Sequence, residues 1–528
     1  MSRRFAAALL SALLLAPGWL SMTGFTLPIA LIPLLWISDS YGSTRRDWWH
    51  MFGCAAFTFA LWNVVTVWWI WFATPVGPIA ATLVSTTLNM IAFMLYHTIS
   101  KHAHKALAYT ALVSAWIATE YWYTVGDVSW PWLLLGNGFS HDVWAVQWYE
   151  YTGIFGGSLW VLIANICIYE ALKIRSLQRI ITAAVVTLVP IIVSLTMWWS
   201  EEEPTAGSAK VSIIQPNIAC YEKFVGKDEM QERNIIDLLE QVPKDVDFIL
   251  LPETATPRYY WEPNLAELRF TTERGDFWNE LSDSLRARHP QAMLITGANT
   301  LKYYERGAQT STARKDRYTN GYYDHFNAAV GIDAERNTQI HHKGRLVIGV
   351  EKTPMPWLFE ALEFLVIDLG GTLGQIGQGP HGTAFTHRGI TTGPAICYEG
   401  LYGDFYGGFV RRGAQFMSII SNDGWWNDTP GYKHLFTISR LRAIEHRRAI
   451  ARCANTGRSG FISARGDVGE TLQWEQRGVI TQEVTLNNHK TFYTIYGDYV
   501  GRISEYVMLL SILYYIAYRV KKKNYLVE

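Results

Sequence analysis

Eight apolar runs constrain this chain more than anything else in its sequence. Seven crowd into the first two hundred residues, around 5–20, 22–39, 49–73, 77–100, 106–125, 150–172 and 178–199, and the eighth lies at 501–518. A helix needs roughly 20 apolar residues to cross the hydrocarbon core of a bilayer, where no water can satisfy an open backbone. The runs predict eight transmembrane helices, the first two being the shortest. The first run, behind Arg3 and Arg4, has a cleaved signal peptide as its other reading. Another apolar run follows at once, however, and no small-residue cleavage site is clear. Composition agrees with a membrane protein: charged residues are 17% of the chain, against about 25% in an average soluble one. The 23 Trp and 28 Tyr suit the lipid–water boundary, where amphipathic rings collect.

Loop charge sets the expected orientation. Arg3 and Arg4, Arg45 and Arg46, Lys101 and Lys105, then Lys173, Arg175 and Arg179 fall in alternate connections, and Lys521 to Lys523 follow the last run. The stretch 126–150 carries Asp127, Asp142 and Glu150 but no Lys or Arg. By the positive-inside rule both termini are cytoplasmic, and seven crossings put the large polar segment outside. The expected layout is a membrane domain over 1–200 with seven helices, an extracytoplasmic domain over 207–490, and an eighth helix at 500–520. A net charge of zero gives no reason to expect nucleic acid. Five cysteines without a CxxC pair or metal-ligand spacing predict no zinc site and leave room for one reactive thiol. No metal and no cofactor are expected.

After Glu201–Glu202–Glu203–Pro204 the periodicity changes. Strand candidates are Lys210–Pro216, Phe248–Pro252, Met293–Ala298, Ala328–Asp333, Thr391–Cys397, Phe416–Ser421 and Ser459–Ala464; helix candidates lie near 227–242, 260–288 and 431–448. Such alternation predicts an α/β domain with a buried sheet, whose reactive groups gather at strand ends. Glu253 follows Phe-Ile-Leu-Leu-Pro, Cys397 closes Thr-Gly-Pro-Ala-Ile, and Lys343 lies in His-His-Lys-Gly-Arg-Leu-Val. Singly, each has an ordinary structural explanation: a salt-bridged carboxylate, a buried inert thiol, a loop charge. Together they offer a nucleophile, a carboxylate to take its proton and a cation for an oxyanion. His341 and His342 read as loop residues.

These residues carry a resemblance. The stretch from about 209 to 490 resembles the nitrilase, or carbon–nitrogen hydrolase, superfamily, with Glu, Lys and Cys in that order. Nearly the whole chain is similar to bacterial apolipoprotein N-acyltransferases, through Trp-Pro-Trp-Leu-Leu-Leu-Gly-Asn at 130–137, Tyr-Thr-Gly-Ile-Phe-Gly-Gly-Ser at 151–158, and Leu251-Pro252-Glu253-Thr254. Ile396-Cys397-Tyr398-Glu399 and Ser421-Asn422-Asp423-Gly424-Trp425-Trp426 match as well. The resemblance implies an α-β-β-α sandwich, Cys397 as nucleophile, Glu253 as general base and Lys343 as oxyanion stabiliser. It further implies Glu351, Tyr398 and Glu399 in support and Trp425 on the substrate. The family's usual spacing from lysine to the second glutamate survives in Lys343–Glu351, although the residues between depart from its pattern.

The implied reaction moves a fatty acyl chain from a phospholipid to the N-terminal amine of a diacylglyceryl-modified apolipoprotein, through an acyl-Cys397 thioester. The implied setting is a multi-pass protein of the bacterial inner membrane with a periplasmic catalytic domain, working as a monomer among membrane lipid. Met355-Pro-Trp357-Leu-Phe359, ahead of glycines at 370–379, reads as a lid that dips into lipid, with Trp357 on the acyl chain; a core-packing loop is the plain alternative. A membrane-anchored nitrilase-type amidase is the rival enzyme. A transporter is the rival class, and Asn63, Asn89 and Asn165 read as interhelical hydrogen-bonding residues rather than a transport path.

Overall fold

The computed structural model describes residues 3–200, 205–220, 223, 228–255, 258–262, 277–317, 320–352 and 376–524. The chain forms two compact units, Met1–Glu201 with Tyr496–Glu528, and Glu202–Ile495.

The first unit is helical: α1 (Arg3–Leu15), α2 (Leu27–Ala30), α3 (Ile32–Ser40), α4 (Arg45–Val67), α5 (Gly77–His102), α6 (Lys105–Val125), α7 (Tyr149–Ile174), α8 (Leu177–Ser200) and a C-terminal helix, Tyr499–Asn524. Among the described residues, five stretches are long and apolar enough to cross a membrane: Arg45–Phe72, Gly77–His102, Tyr149–Ile174, Leu177–Ser200 and Tyr499–Lys522. Along α8, Leu177 is 72% exposed and Trp199 77%. A helix this apolar and this bare needs a non-aqueous solvent, so this is a membrane protein.

The first two apolar runs take a different form from the one expected of them. With 13 residues, α1 reaches only about 20 Å. The second run is broken, with Pro28 in the first turn of α2 and Pro33 in the first turn of α3, positions where a missing N–H costs nothing. Asn165 bridges helices as expected: Nδ2 donates to Leu27 O at 2.7 Å and Oδ1 accepts from Leu31 N at 2.7 Å. Asn63 instead bonds back within its own helix, to Phe59 O at 2.8 Å. The 130–139 segment forms two short 3-10 turns, Pro131–Leu133 and Leu135–Phe139, and side chains satisfy part of its backbone. Leu135 N donates to Glu120 at 2.7 Å, Gly136 N to Ser158 Oγ at 3.0 Å, and Tyr149 Oη donates to Gly136 O at 3.0 Å.

The second unit holds two sheets. One runs β14-β1-β2-β4-β6-β5 with β3 on β4 and β7 on β6; the other runs β13-β12-β11-β10-β9-β8. Their strands are β1 (Ser208–Gln215), β2 (Phe248–Leu250), β3 (Tyr259–Trp261), β4 (Met293–Tyr304), β5 (Arg314–Lys315), β6 (Tyr322–Ile332), β7 (Thr338–His342), β8 (Phe385–His387), β9 (Ile390–Ile396), β10 (Phe416–Ser421), β11 (Ile450–Ala454), β12 (Ser459–Ile462), β13 (Val468–Leu472) and β14 (Gly478–Thr485). β1, β2 and β4 are parallel, as are β9, β10 and β11.

Side chains alternate faces along each strand, which assigns them to two cores. Ile249, Leu294 and Val330 pack under α9 (Asp228–Leu239) and α10 (Phe277–Arg288) through Ile235, Leu238, Trp278 and Leu285. In the other sheet, Ala395, Met417 and Ile419 pack under α11 (Gly403–Arg411) and α12 (Pro430–His446) through Tyr406, Phe409 and Phe436. The inner faces meet each other: the Phe248 ring lies 5.2 Å from Phe416, and Cys453 Sγ donates to Ile214 O at 3.2 Å. The result is an α-β-β-α sandwich.

All seven strand candidates form strands. The helix candidate at 260–288 is corrected in part: Tyr259–Trp261 is a strand pairing with β4, and Phe277–Arg288 is the helix. His341 and His342 are also corrected, because they close β7, paired with Ala329 and Ala328.

Candidate active site

Glu253 is delivered by an extension of β2. Leu251 N donates to Ile295 O at 2.8 Å, Gly297 N to Pro252 O at 3.0 Å and Ala255 N to Gly297 O at 3.0 Å, so the chain follows β4 beyond its last paired residue. Gly297 permits this approach, since a Cβ there would lie 2.3 Å from Thr254 N. The carboxylate is then bound on both oxygens. Oε1 accepts from Lys343 Nζ at 2.9 Å and Asn327 Nδ2 at 2.7 Å, and Oε2 accepts from Asn422 N at 3.1 Å. Burial pushes the Glu253 pKa up, but the Lys343 charge and these hydrogen bonds outweigh it and hold the group below the ordinary Glu value.

Lys343 follows β7 and is anchored by its backbone N–H to Asn327 O at 2.8 Å. Its ammonium is 1% exposed and also donates to Glu351 Oε1 at 2.9 Å. Burial disfavours its charge, yet Glu253 and Glu351 reverse that effect and raise it well above the usual lysine range. Asn327 Nδ2 spans both carboxylates, reaching Glu351 Oε1 at 3.0 Å, while Val347 N donates to Glu351 Oε2 at 2.8 Å.

Cys397 stands at the sharp end of β9, at the start of a short 3-10 turn, Cys397–Leu401. Its φ is +45°, a strained left-handed value for a residue with a Cβ. Burial and the neighbouring Glu253 carboxylate push the thiol far above the ordinary cysteine range, against the pull of Lys343. The resting pair is therefore a neutral thiol beside an ionised carboxylate.

Glu399 ties these parts together rather than facing a reactant. Its carboxylate is fully buried and accepts from Ile396 N at 2.7 Å, Gly344 N at 2.6 Å and His341 Nε2 at 3.1 Å. Thr383 N donates to His341 Nδ1 at 3.2 Å, which puts the ring proton on Nε2, facing Glu399. One side chain thus joins the cysteine turn to the lysine loop. Tyr398 is buried, its ring 5.4 Å from Tyr402. Trp425 is half-buried in a turn, Asp423–Trp426, held by a buried bidentate pair in which Arg452 Nη1 and Nη2 reach the Asp423 oxygens at 2.9 Å each. Trp357 and the expected lid over 353–375 lie outside the described residues; of its glycines, Gly377 N donates to His325 O at 2.8 Å and Gly379 N to Lys343 O at 3.0 Å. No group of three or more His, Cys, Asp or Glu able to hold a metal occurs among the described residues.

The sequence pattern missed Asn327 and His341. The backbone N–H of Asn422 lies inside a motif noticed for its tryptophans; Asn327 carries no local signal, because only β6 pairing with β4 and β7 brings it to the carboxylates.

A model of the carbon-nitrogen hydrolase family matches residues 182–492, well over half of the chain. The chain belongs to that family. A second model, the apolipoprotein N-acyltransferase N-terminal domain, matches residues 7–167. Among curated relatives, the apolipoprotein N-acyltransferase of Chlorobaculum tepidum is 28% identical and covers 95% of both chains. That of Thermotoga maritima is 22% identical over 94% of this chain and 90% of its own. Apolipoprotein N-acyltransferase 1 of Treponema denticola is 22% identical over 98% and 97%.

Proposed function

We propose that this membrane acyltransferase moves a fatty acyl chain from a phospholipid to the N-terminal amine of S-diacylglyceryl-cysteine lipoproteins, with Cys397 as nucleophile. The observation that carries the reading is the buried Glu253–Lys343–Glu351 cluster, charge-coupled to a strained cysteine, in a chain similar to acyltransferases along both units. The match over 7–167 supports a transferase over a membrane-anchored amidase.

In the first half-reaction Glu253 takes the Sγ proton as sulfur attacks the ester carbonyl. Two Lys343 N–H groups hold carboxylates, and the remaining one meets the oxyanion. The C–O bond breaks, Glu253 returns the proton to the leaving oxygen, and a lysophospholipid departs from the thioester. In the second half the lipoprotein amine attacks, Glu253 takes a proton from the nitrogen, the C–S bond breaks and the proton returns to Sγ. Burial of Cys397, 7% exposed, keeps water from the thioester. Glu351 shares the Lys343 charge, Glu399 and Tyr398 support the cysteine turn, and Trp425 and Trp357 contact substrate.

The accompanying topology is eight crossings of the bacterial inner membrane, over 1–200 and 500–520. Both termini are cytoplasmic, the catalytic domain at 207–490 is periplasmic, and the protein is a monomer. Mass spectrometry after incubation with phospholipid tests the chemistry: one fatty acyl group on Cys397 is expected, and its absence from an active, folded protein overturns the proposal.

A further inference from the structure

A second lysine borders the cluster and has no part in the steps above. Lys223 is 0% exposed. Its Nζ donates to the Glu253 carbonyl at 3.1 Å and to Thr254 Oγ1 at 2.9 Å. Its own carbonyl accepts from Gln231 Nε2 of α9 at 3.2 Å. A buried ammonium is costly, and this one is spent on a backbone oxygen and a hydroxyl rather than on a carboxylate side chain. The turn it grips is itself strained: Thr254 has φ +44°, a rare conformation for a β-branched residue. Gly297 packs against the backbone of the same turn, at the contact that forbids a Cβ.

Charge adds a second reason. Two carboxylates, Glu253 and Glu351, share one ammonium on Lys343, so the cluster is short of one positive charge before any oxyanion forms. Lys223 lies close enough to lower the Glu253 pKa. Burial in turn lowers Lys223 to about 8, against the attraction of Cys220 and Glu253, which leaves it mostly protonated at neutral pH.

We propose that Lys223 is a positioning residue: its ammonium locks the Glu253–Thr254 turn that presents the carboxylate to Lys343, Asn327 and Asn422, and supplies the site's second cation. The role rests on Glu253 acting as base for Cys397. Among the described residues, the titratable groups around the Glu253 carboxylate are Lys343 and Glu351 from the segment after β7, Cys397 from the end of β9, and Cys220 and Lys223 from the segment after β1. Removing the Lys223 charge raises the Glu253 pKa, so the base is lost at higher pH.

The test uses the full-length protein in lipid, with Lys223→Met and Lys223→Gln. Gln keeps a donor without the charge and preserves the test should Met fail to fold. Two rates are followed against pH: alkylation of Cys397 by iodoacetamide, which needs no assumption about substrate, and single-turnover acylation by phospholipid. Roughly tenfold slower acylation at saturating donor is expected, with half-saturation within about twofold and the acidic limb of both profiles moved to higher pH. Lower melting temperature with unmoved limbs in both variants marks a purely structural lysine and overturns the proposal, as do unchanged rates. If phospholipid fails to acylate even the unaltered protein while alkylation still shifts in the variants, the donor assignment falls and the positioning role stands.

Discussion

The two units solve opposite solvent problems with nearly the same apolar alphabet. In the first, α8 carries large apolar residues outward, Leu188 being 52% exposed and Ile192 56%; where Pro190 interrupts its backbone bonding, the Val186 carbonyl accepts from Trp160 Nε1 at 3.0 Å. In the second, apolar strands are buried on both faces and the charges go inward in pairs: Arg452 with Asp423 and Arg442 with Glu445, all 0% exposed. Lipid tolerates bare apolar side chains and punishes open backbone. A water-exposed sandwich can place ions internally only where geometry satisfies them. The same residue type therefore means different things in the two halves.

The largest effect should come from the one group that neither solvent rule explains. Cys397→Ser is expected to leave a folded, inserted protein whose acylation falls at least about 1,000-fold, read by thioester mass; Cys54→Ser, Cys167→Ser and Cys453→Ser should keep it. Full acylation by the serine variant would end the nucleophile assignment. Next comes Asp423→Asn, which strands Arg452 in the interior. Breaking a buried pair costs about 3–5 kcal/mol, visible as a large drop in the denaturation midpoint. A drop no larger than that of a surface variant would deny the contrast between the units.

Paired lysine substitutions sharpen it. Leu188→Lys, mid-helix and exposed, should cost about 3 kcal/mol of membrane insertion. Val468→Lys, at 36% exposure on β13, should change stability by no more than about 0.5 kcal/mol. Equal tolerance at both sites, measured by insertion assay and melting, would remove the case for lipid around α8. The smallest expected effect is of pH. Because Glu253 is held below the ordinary Glu value of 4.5, the base stays ionised above that value, and Cys397 acylation loses rate only as pH falls through the lowered pKa. By linkage, the stability this group contributes is present above 4.5 and is lost over the same acid range. An acidic limb near 6 would break the assignment of base.

Much of the second unit was legible because parallel, two-sided strands read as short apolar blocks ended by Pro, Gly or Asn. The helix at 430–446 lies where the polar stretch near 431–448 predicts one. Strand β3 did not, since Tyr259–Trp261 has a pattern that suits a helix equally and only pairing with β4 decides it. In the first unit, length identified the spans, while Pro28 and Pro33 decided that the second run would fold as short pieces.

Sequence by itself determined the division into lipid-facing and water-facing material, the family motifs, and Glu253, Lys343 and Cys397 as the candidate site residues. Hydrophobic length and local motifs act over a few residues and need no partner. Tertiary structure alone decided that Asn327 bridges two carboxylates, that Glu399 joins the cysteine turn to the lysine loop, and that His341 is a strand residue facing that glutamate. It also put Lys223 beneath the Glu253 turn. These roles depend on groups 24 to 74 residues apart, such as Asn327 with Glu351 and Glu253, meeting within hydrogen-bond range, and only sheet pairing and burial bring them there.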